Sequence, residues 1–232
     1  MNLFYQPFVR EGKHFLDPEE SRHCIKVLRK RPGDAITVVD GKGIFYESIL
    51  TGIELHQCRF NIVREIQEAF RTFNIHIAVA PTKNTERIEW FVEKATEFGI
   101  DRITFVQCDH SERVKLKLDR IERIAINAMK QSLKATLPAI ETLIGFKDFV
   151  EGRNENGKFI AYVDAGNQYH LKDLATPASA YCVLIGPEGD FSDEEISHAV
   201  NHGFQKVSLG KSRLRTETAA LAACHTLNLL NL

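Results

Sequence analysis

YCVLIGPEGD (Tyr181–Asp190) and KVSLGKSRLRTETA (Lys206–Ala219) follow one plan. Each opens with a short run of apolar and β-branched residues, turns through glycine, and leads into a helix-forming stretch. Two strand-loop-helix units are therefore expected side by side. In an α/β sheet such loops emerge at the carboxyl ends of parallel strands, where ligands are held against backbone amides and helix N-termini.

Working outward, the same alternation runs upstream. FNIHIAVAP (73–81) reads as a buried strand. Arg87 to Phe98 reads as a helix with Ile88, Phe91, Val92, Ala95 and Phe98 on one face and Gly99 as its stop, and ITFVQ (103–107) as the next strand. Leu118 to Ala135 is a long helix whose row of Ile121, Ala125 and Ala128 leads to Gln131 and Ser132, and Lys158 to Asp164 is a further strand. This order predicts a doubly wound parallel sheet. The first 70 residues differ: a helix over Asp17–Arg31, with Asp17 as N-cap and Pro18 at the first position, precedes strands at Ala35–Asp40, Ile44–Leu50 and Arg59–Glu65. A boundary near Glu68–Phe73 separates a β-rich domain (1–70) from an α/β domain (71–232).

The 232 residues are 44% hydrophobic, enough for a full core, and no run of about 18 apolar residues or signal-peptide order is present. A cytoplasmic protein without membrane contact is expected. The five cysteines are scattered without a Cys-x-x-Cys, which predicts reduced core thiols. The net charge of −1 hides a cationic run: Arg22, Lys26, Arg29, Lys30 and Arg31 fall within ten residues that contain no acid. Such a run contacts phosphates or forms a solvated helix end.

Gly186 and Gly189 allow close backbone approach, Pro187 stiffens the loop between them, and Ser192 with Glu195 forms a capping box for the following helix. Glu188 is placed to accept hydrogen bonds from a ribose or from loop amides. Lys211, Arg213 and Arg215 beside Thr216 and Glu217 suit an anionic substrate. Neither Gly-x-x-x-x-Gly-Lys-Ser/Thr nor a complete Gly-x-Gly-x-x-Gly occurs, so the residues leave phosphate and nucleotide equally open. His198 and His202 have the i, i+4 spacing that binds zinc, but no third ligand is evident, and no metal is expected.

IGPEG…F followed by LG.S.LR.ETA resembles the signature of the SPOUT superfamily of methyltransferases, and in particular the RsmE-like uridine N3-methyltransferases of small-subunit ribosomal RNA. HCIKVLRKRPGD, DGKG, RIEWFVEKATEFGI and AMKQSLKATLP extend the resemblance over nearly the whole chain. It implies a PUA-like β-barrel for RNA, a C-terminal domain tied in a deep trefoil knot, and a homodimer acting on small-subunit ribosomal RNA or the assembled small subunit.

It also implies S-adenosylmethionine held by backbone groups of Leu184, Ile185, Gly186, Pro187, Glu188 and Gly189 in one loop and of Leu209, Gly210, Ser212, Leu214 and Arg215 in the other. Arg215 would stabilise the uridine anion, Glu217 would serve as base, and Arg22, Lys26, Arg29 and Arg213 would hold RNA. Two departures stand out: Asp190 where the family usually has a second glycine, and Lys130-Gln131-Ser132-Leu133-Lys134 where it usually has Glu-Gln-Ser-x-Arg. A non-catalytic RNA-binding assembly protein that keeps the fold is the rival reading.

Overall fold

A computed structural model describes residues 2–54, 57–112, 115–162 and 169–232. It divides into two compact units, one of residues 1–70 with 126–137, the other of residues 71–125 with 138–232.

In the first unit, β1 (Leu3–Tyr5), β2 (Ala35–Val39), β3 (Ile44–Glu54) and β4 (Gln57–Gln67) form a sheet in that order, β1 parallel to β2 and the rest antiparallel. The two long strands outrun the segments expected from the pattern, because positions beyond Leu50 still pair across the hairpin, out to Glu54 with Gln57. The β2–β3 reversal is organised by Asp40, whose buried carboxylate accepts the N–H of Lys42 at 2.7 Å, the Tyr46 hydroxyl at 3.2 Å and Arg10 Nε at 3.0 Å. Phe4, Leu16, Cys24, Val38, Tyr46 and Phe60 fill the core beneath.

The helix expected over Asp17–Arg31 is shorter. It comprises α1 (Pro18–Arg22), capped by the Asp17 carboxylate on the Glu20 N–H at 2.8 Å, and one π turn over His23–Val27. Arg29 stops it in the left-handed region at φ 54°.

Residues 126–137 belong to this first unit although the sequence pattern ran the second domain unbroken from 71 to 232. The reason is packing: Met129 and Ala135 bury against Leu3 and Val39, and the Gly43 N–H donates to the Ala135 carbonyl at 3.1 Å. The helix α3 (Leu118–Gln131) ends before the expected Ala135, because Leu133 turns left-handed at φ 57° and the Lys134 N–H closes back onto the Met129 carbonyl. The Ser132 hydroxyl donates to the Ala128 carbonyl at 2.7 Å, so it is satisfied locally.

The second unit is a six-stranded, wholly parallel sheet: β5 (Asn74–Val79), β6 (Arg102–Gln107), β7 (Ala139–Gly145), β8 (Gly157–Ala161), β9 (Ala180–Ile185) and β10 (Gln205–Val207), in the order β10-β8-β9-β5-β6-β7. The helices are α2 (Thr85–Phe98), α4 (Phe146–Glu151), α5 (Leu171–Leu174), α6 (Asp193–Asn201) and α7 (Thr216–Leu230). The parallel α/β architecture is as the pattern predicted. Period-2 alternation splits the strands: Ala78, Ile160, Cys182 and Leu184 face α4 and α6, while α7 covers the other face over β5 and β9 and packs on α2.

Three expectations need correction. The two strand-loop-helix units are not neighbours, because β8 lies between β9 and β10. β7 and α4 were not foreseen, since AIETLIG neither alternates strictly nor forms a continuous apolar run. The strand expected over Lys158–Asp164 runs Gly157–Ala161, and its end at Val163 and Asp164 lies outside the described residues.

All five cysteines are unpaired and buried, and burial pushes the Cys24 and Cys224 thiols up to about 12, far from reactive thiolates. Among the described residues no helix is long and apolar enough to cross a membrane.

Candidate active site

Because every strand of the second unit runs the same way, the ends of β8, β9 and β10 open on one edge. There the two glycine loops enclose a cleft of about 830 Å³, within the usual range for a small-molecule site. Its wall takes Ile185, Gly186, Pro187, Glu188 and Asp190 from the first loop and Leu209 to Thr216 from the second, with Ala161, Tyr162, His170, Val207, Ser208 and Ala219 beside them.

Local physics fixes the loops. At Gly210 φ is +131°, which a side chain would strain, and its N–H donates to Ser208 Oγ at 3.1 Å. Asp190 holds φ 63°, accepts the Phe191 N–H on its own carboxylate at 2.9 Å, and offers its carbonyl to His110 Nδ1 at 3.0 Å. Ser192 and Glu195 form both bonds of the expected capping box, so α6 starts rigidly after the loop. The Thr216 hydroxyl donates to the Gly186 carbonyl at 3.0 Å and ties the second loop to the first.

Arg87 on α2 stands between the acids of the two loops. Its guanidinium is 4.0 Å from Glu188 and 3.9 Å from Glu217, and Glu188 also accepts the Lys83 N–H at 3.2 Å. Glu217 lies in the first turn of α7, where a helix N-terminus favours an acid, and is 7% exposed. Its Oε2 is buried without a hydrogen-bond partner among the described residues.

Such a constellation, apolar wall residues with backbone-lined loops and a rim of Lys211, Arg213 and Arg215, suits a nucleotide-sized ligand next to a polyanion. Residues 68–228 match the family model of an RNA methyltransferase domain, and residues 16–63 that of an RNA methyltransferase PUA domain. The ribosomal RNA small subunit methyltransferase E of Mesomycoplasma hyopneumoniae is 36% identical over 94% of this chain and 96% of its own. This chain belongs to the ribosomal RNA small subunit methyltransferase E family.

Solved structures agree with that membership. A probable rRNA-methyltransferase from Porphyromonas gingivalis is 40% identical with a TM-score of 0.93 over 99% of both chains. The small subunit methyltransferase E of Neisseria gonorrhoeae, determined with S-adenosylmethionine bound, is 31% identical with a TM-score of 0.85 over 100% of this chain and 98% of that one.

Against this family frame the residues singled out from sequence sort clearly. Ile185, Gly186, Pro187, Glu188, Leu209, Gly210, Ser212, Leu214 and Arg215 all line the cleft, as does Arg213. Leu184 does not: it points into the core with no exposure. Nor does Gly189, whose close approach is to His110, where an added Cβ would sit 3.0 Å from the His110 Cβ. Glu217 stands off the wall, its carboxylate turned to Arg87. Arg22, Lys26 and Arg29 lie exposed on the first unit.

Sequence reading missed Arg87, Tyr162, His170 and Ser208. Arg87 opens an amphipathic helix where a cation reads as solvated, and only the fold sets it against loops a hundred residues away. His170 could have been suspected as an N-cap, since its ring accepts the Lys172 N–H at 3.2 Å.

Proposed function

We propose that the chain transfers a methyl group from S-adenosylmethionine to N3 of a uridine in small-subunit ribosomal RNA. The observation that carries this is the cleft itself: two glycine loops, ordered by their own capping and tied by Thr216 to Gly186, with a cationic rim at one end. Support comes from the N. gonorrhoeae relative, bound to S-adenosylmethionine. When bound, the cofactor supplies a methyl group on a sulfonium that needs no metal to leave.

The residues present fit that group. Ile185, Leu209 and Leu214 give apolar wall for an adenosine, and the loop backbone supplies donors and acceptors that a side chain would crowd. Uridine N3 carries a proton and accepts a methyl group only once that proton has passed to water, so the chain's own task is to hold the uracil in the cleft and favour its anion. Arg215, exposed on the cleft rim at the N-cap of α7, stabilises the negative charge that the departing proton leaves on the uracil. Glu217 acts through Arg87, holding the guanidinium in the wall instead of reaching the base itself. Arg213 at the rim and Arg22, Lys26 and Arg29 on the first unit bind phosphates without sequence readout.

The same reading makes the loop-bearing segment a deep trefoil knot, the first unit a PUA-like β-barrel, and the working form a cytoplasmic homodimer; its support is family membership.

The test is transfer of labelled methyl from S-adenosylmethionine to unmodified small subunits, followed by nucleoside analysis for N3-methyluridine. Arg215→Ala should abolish transfer while calorimetric cofactor binding stays within about threefold. A protein that binds small-subunit RNA but neither binds the cofactor nor transfers methyl would be the non-catalytic assembly factor instead.

A further inference from the structure

Away from the cleft, two histidines and a glutamate meet on the surface of the second unit. His198 and His202 lie one turn apart near the end of α6, with ring centroids 4.3 Å apart, and Glu151 at the end of α4 brings a carboxylate oxygen to 3.4 Å from His198 Nε2. One ligand atom from each of the three lies within 4.8 Å of the others. The sequence offered the histidine pair without a third ligand; the packing of α4 against α6 through Phe146, Phe149, Ile196 and Ala199 supplies it.

We propose that Glu151, His198 and His202 form a site for a divalent transition cation of the zinc type. The Glu151–His198 spacing of 3.4 Å fits, since two ligands at about 2.0–2.1 Å from a tetrahedral ion stand about 3.4 Å apart. The tautomer fits too. His202 Nδ1 lies 2.8 Å from the His198 carbonyl and donates to it, which leaves the Nε2 lone pair free and orients the ring, as an outer hydrogen bond does for a metal-bound imidazole.

His198 Nε2 is buried and, although 3.4 Å from Glu151, makes no hydrogen bond among the described residues, so the contact is an ion pair or two ligands awaiting a cation. Glu151 is half exposed, which leaves water to complete the shell. Lys158, the nearby cation, is engaged elsewhere: its ammonium donates to the His202 carbonyl and lies over the Phe204 ring.

A second cluster of the same residue types makes the contrast. His76, Glu155 and Cys182 are equally close, but both His76 nitrogens are engaged, by Glu155 at 3.1 Å and Thr104 at 2.7 Å, and Arg153 stands 3.6 Å from Glu155. No His76 nitrogen is left there for a metal.

Bound at the surface site, the ion would cross-link the end of α4 to the helix that follows the first cleft loop. The experiment is titration of the untagged full chain with Zn²⁺ by calorimetry, with Co²⁺ as a spectroscopic probe. One ion per chain with a micromolar Kd is expected, with visible d–d absorption of tetrahedral Co²⁺. A hundredfold excess of Zn²⁺ over Kd should raise the melting temperature by about 5 °C.

His198→Ala and His202→Ala should each weaken binding at least tenfold. Glu151→Gln, on an exposed side chain that folding does not need, should weaken it severalfold while melting of the zinc-free protein is unchanged. No saturable binding below about 1 mM, or one-to-one binding unaltered in all three variants, would overturn the assignment.

Discussion

The Arg87 guanidinium lies 3.9 Å from the carboxylate of Glu217, an acid that is 7% exposed and keeps one oxygen without a hydrogen bond among the described residues. One cation from α2 thus faces an acid in the first turn of α7 while also approaching Glu188 of the first glycine loop. Arg87→Ala should lower methyl transfer at least tenfold, about 1.4 kcal/mol in barrier. If Arg87 acts through Glu217, the double variant Arg87→Ala/Glu217→Gln should lose less than the sum, with a coupling of about 1 kcal/mol. Strict additivity in single-turnover rates would show that the two act apart.

Lys130 donates to Glu20, a carboxylate only 8% exposed whose second oxygen is buried without a hydrogen-bond partner among the described residues. Burial raises the Glu20 pKa, against which the Lys130 hydrogen bond works. Lys130→Met strands that charge and should cost about 3 kcal/mol, whereas Lys130→Met with Glu20→Leu should recover most of it. The urea midpoint of the transition reports both; equal losses in the single and double variants would refute the pairing.

Asp190 occupies the left-handed region at φ 63° and compensates with a hydrogen bond from Phe191 to its own carboxylate. Asp190→Gly removes both the strain, about 1 kcal/mol, and the bond, about 1 kcal/mol, and should leave stability nearly unchanged. Asp190→Ala keeps the strain and loses the bond, so it should be about 1 kcal/mol worse than glycine by thermal melting. Equal melting temperatures for the two would contradict the backbone argument.

Glu155 is partly desolvated, yet the His76 hydrogen bond, its own backbone bond and the charges of His76 and Arg153 bring its pKa from 4.5 down to about 2. A carboxylate depressed in the folded state stabilises above its unfolded pKa, and that stability is lost as pH falls toward the folded value. Unfolding free energy should therefore drop by about 2 kcal/mol between pH 4.5 and pH 2. Glu155→Gln should flatten this part of the profile; an unchanged acid limb would place the titration elsewhere.

Local patterns carried most of the elements. Asp17 and Ser192 announce helix starts and each caps through its side chain, and Gly99 stops α2 in the left-handed region, because these signals are satisfied within four residues of chain; the Asn84 cap that starts α2 at Thr85, two residues before the expected Arg87, was not read. The glycine loops were legible for the same reason, since their backbone demands are local. Where the reading failed, the deciding partner was distant. Residues 126–137 continue a helical stripe in sequence but pack in the first unit, and Ala139–Gly145 is an edge strand held by its pairing to β6.

What the sequence alone determined was an α/β chain with two glycine-bearing loops, a β-rich N-terminal module and a resemblance that the family comparisons bear out. What tertiary structure decided was which loops meet. β8 slots between β9 and β10, yet parallel strands release all three chain ends on one edge, so two loops that are not neighbours still share a cleft. Likewise Arg87 reaches Glu217, and Glu151 reaches His198, only through helix packing. A side chain's short-range signal ends with its own turn of helix, whereas a site needs groups that the sequence keeps tens of residues apart.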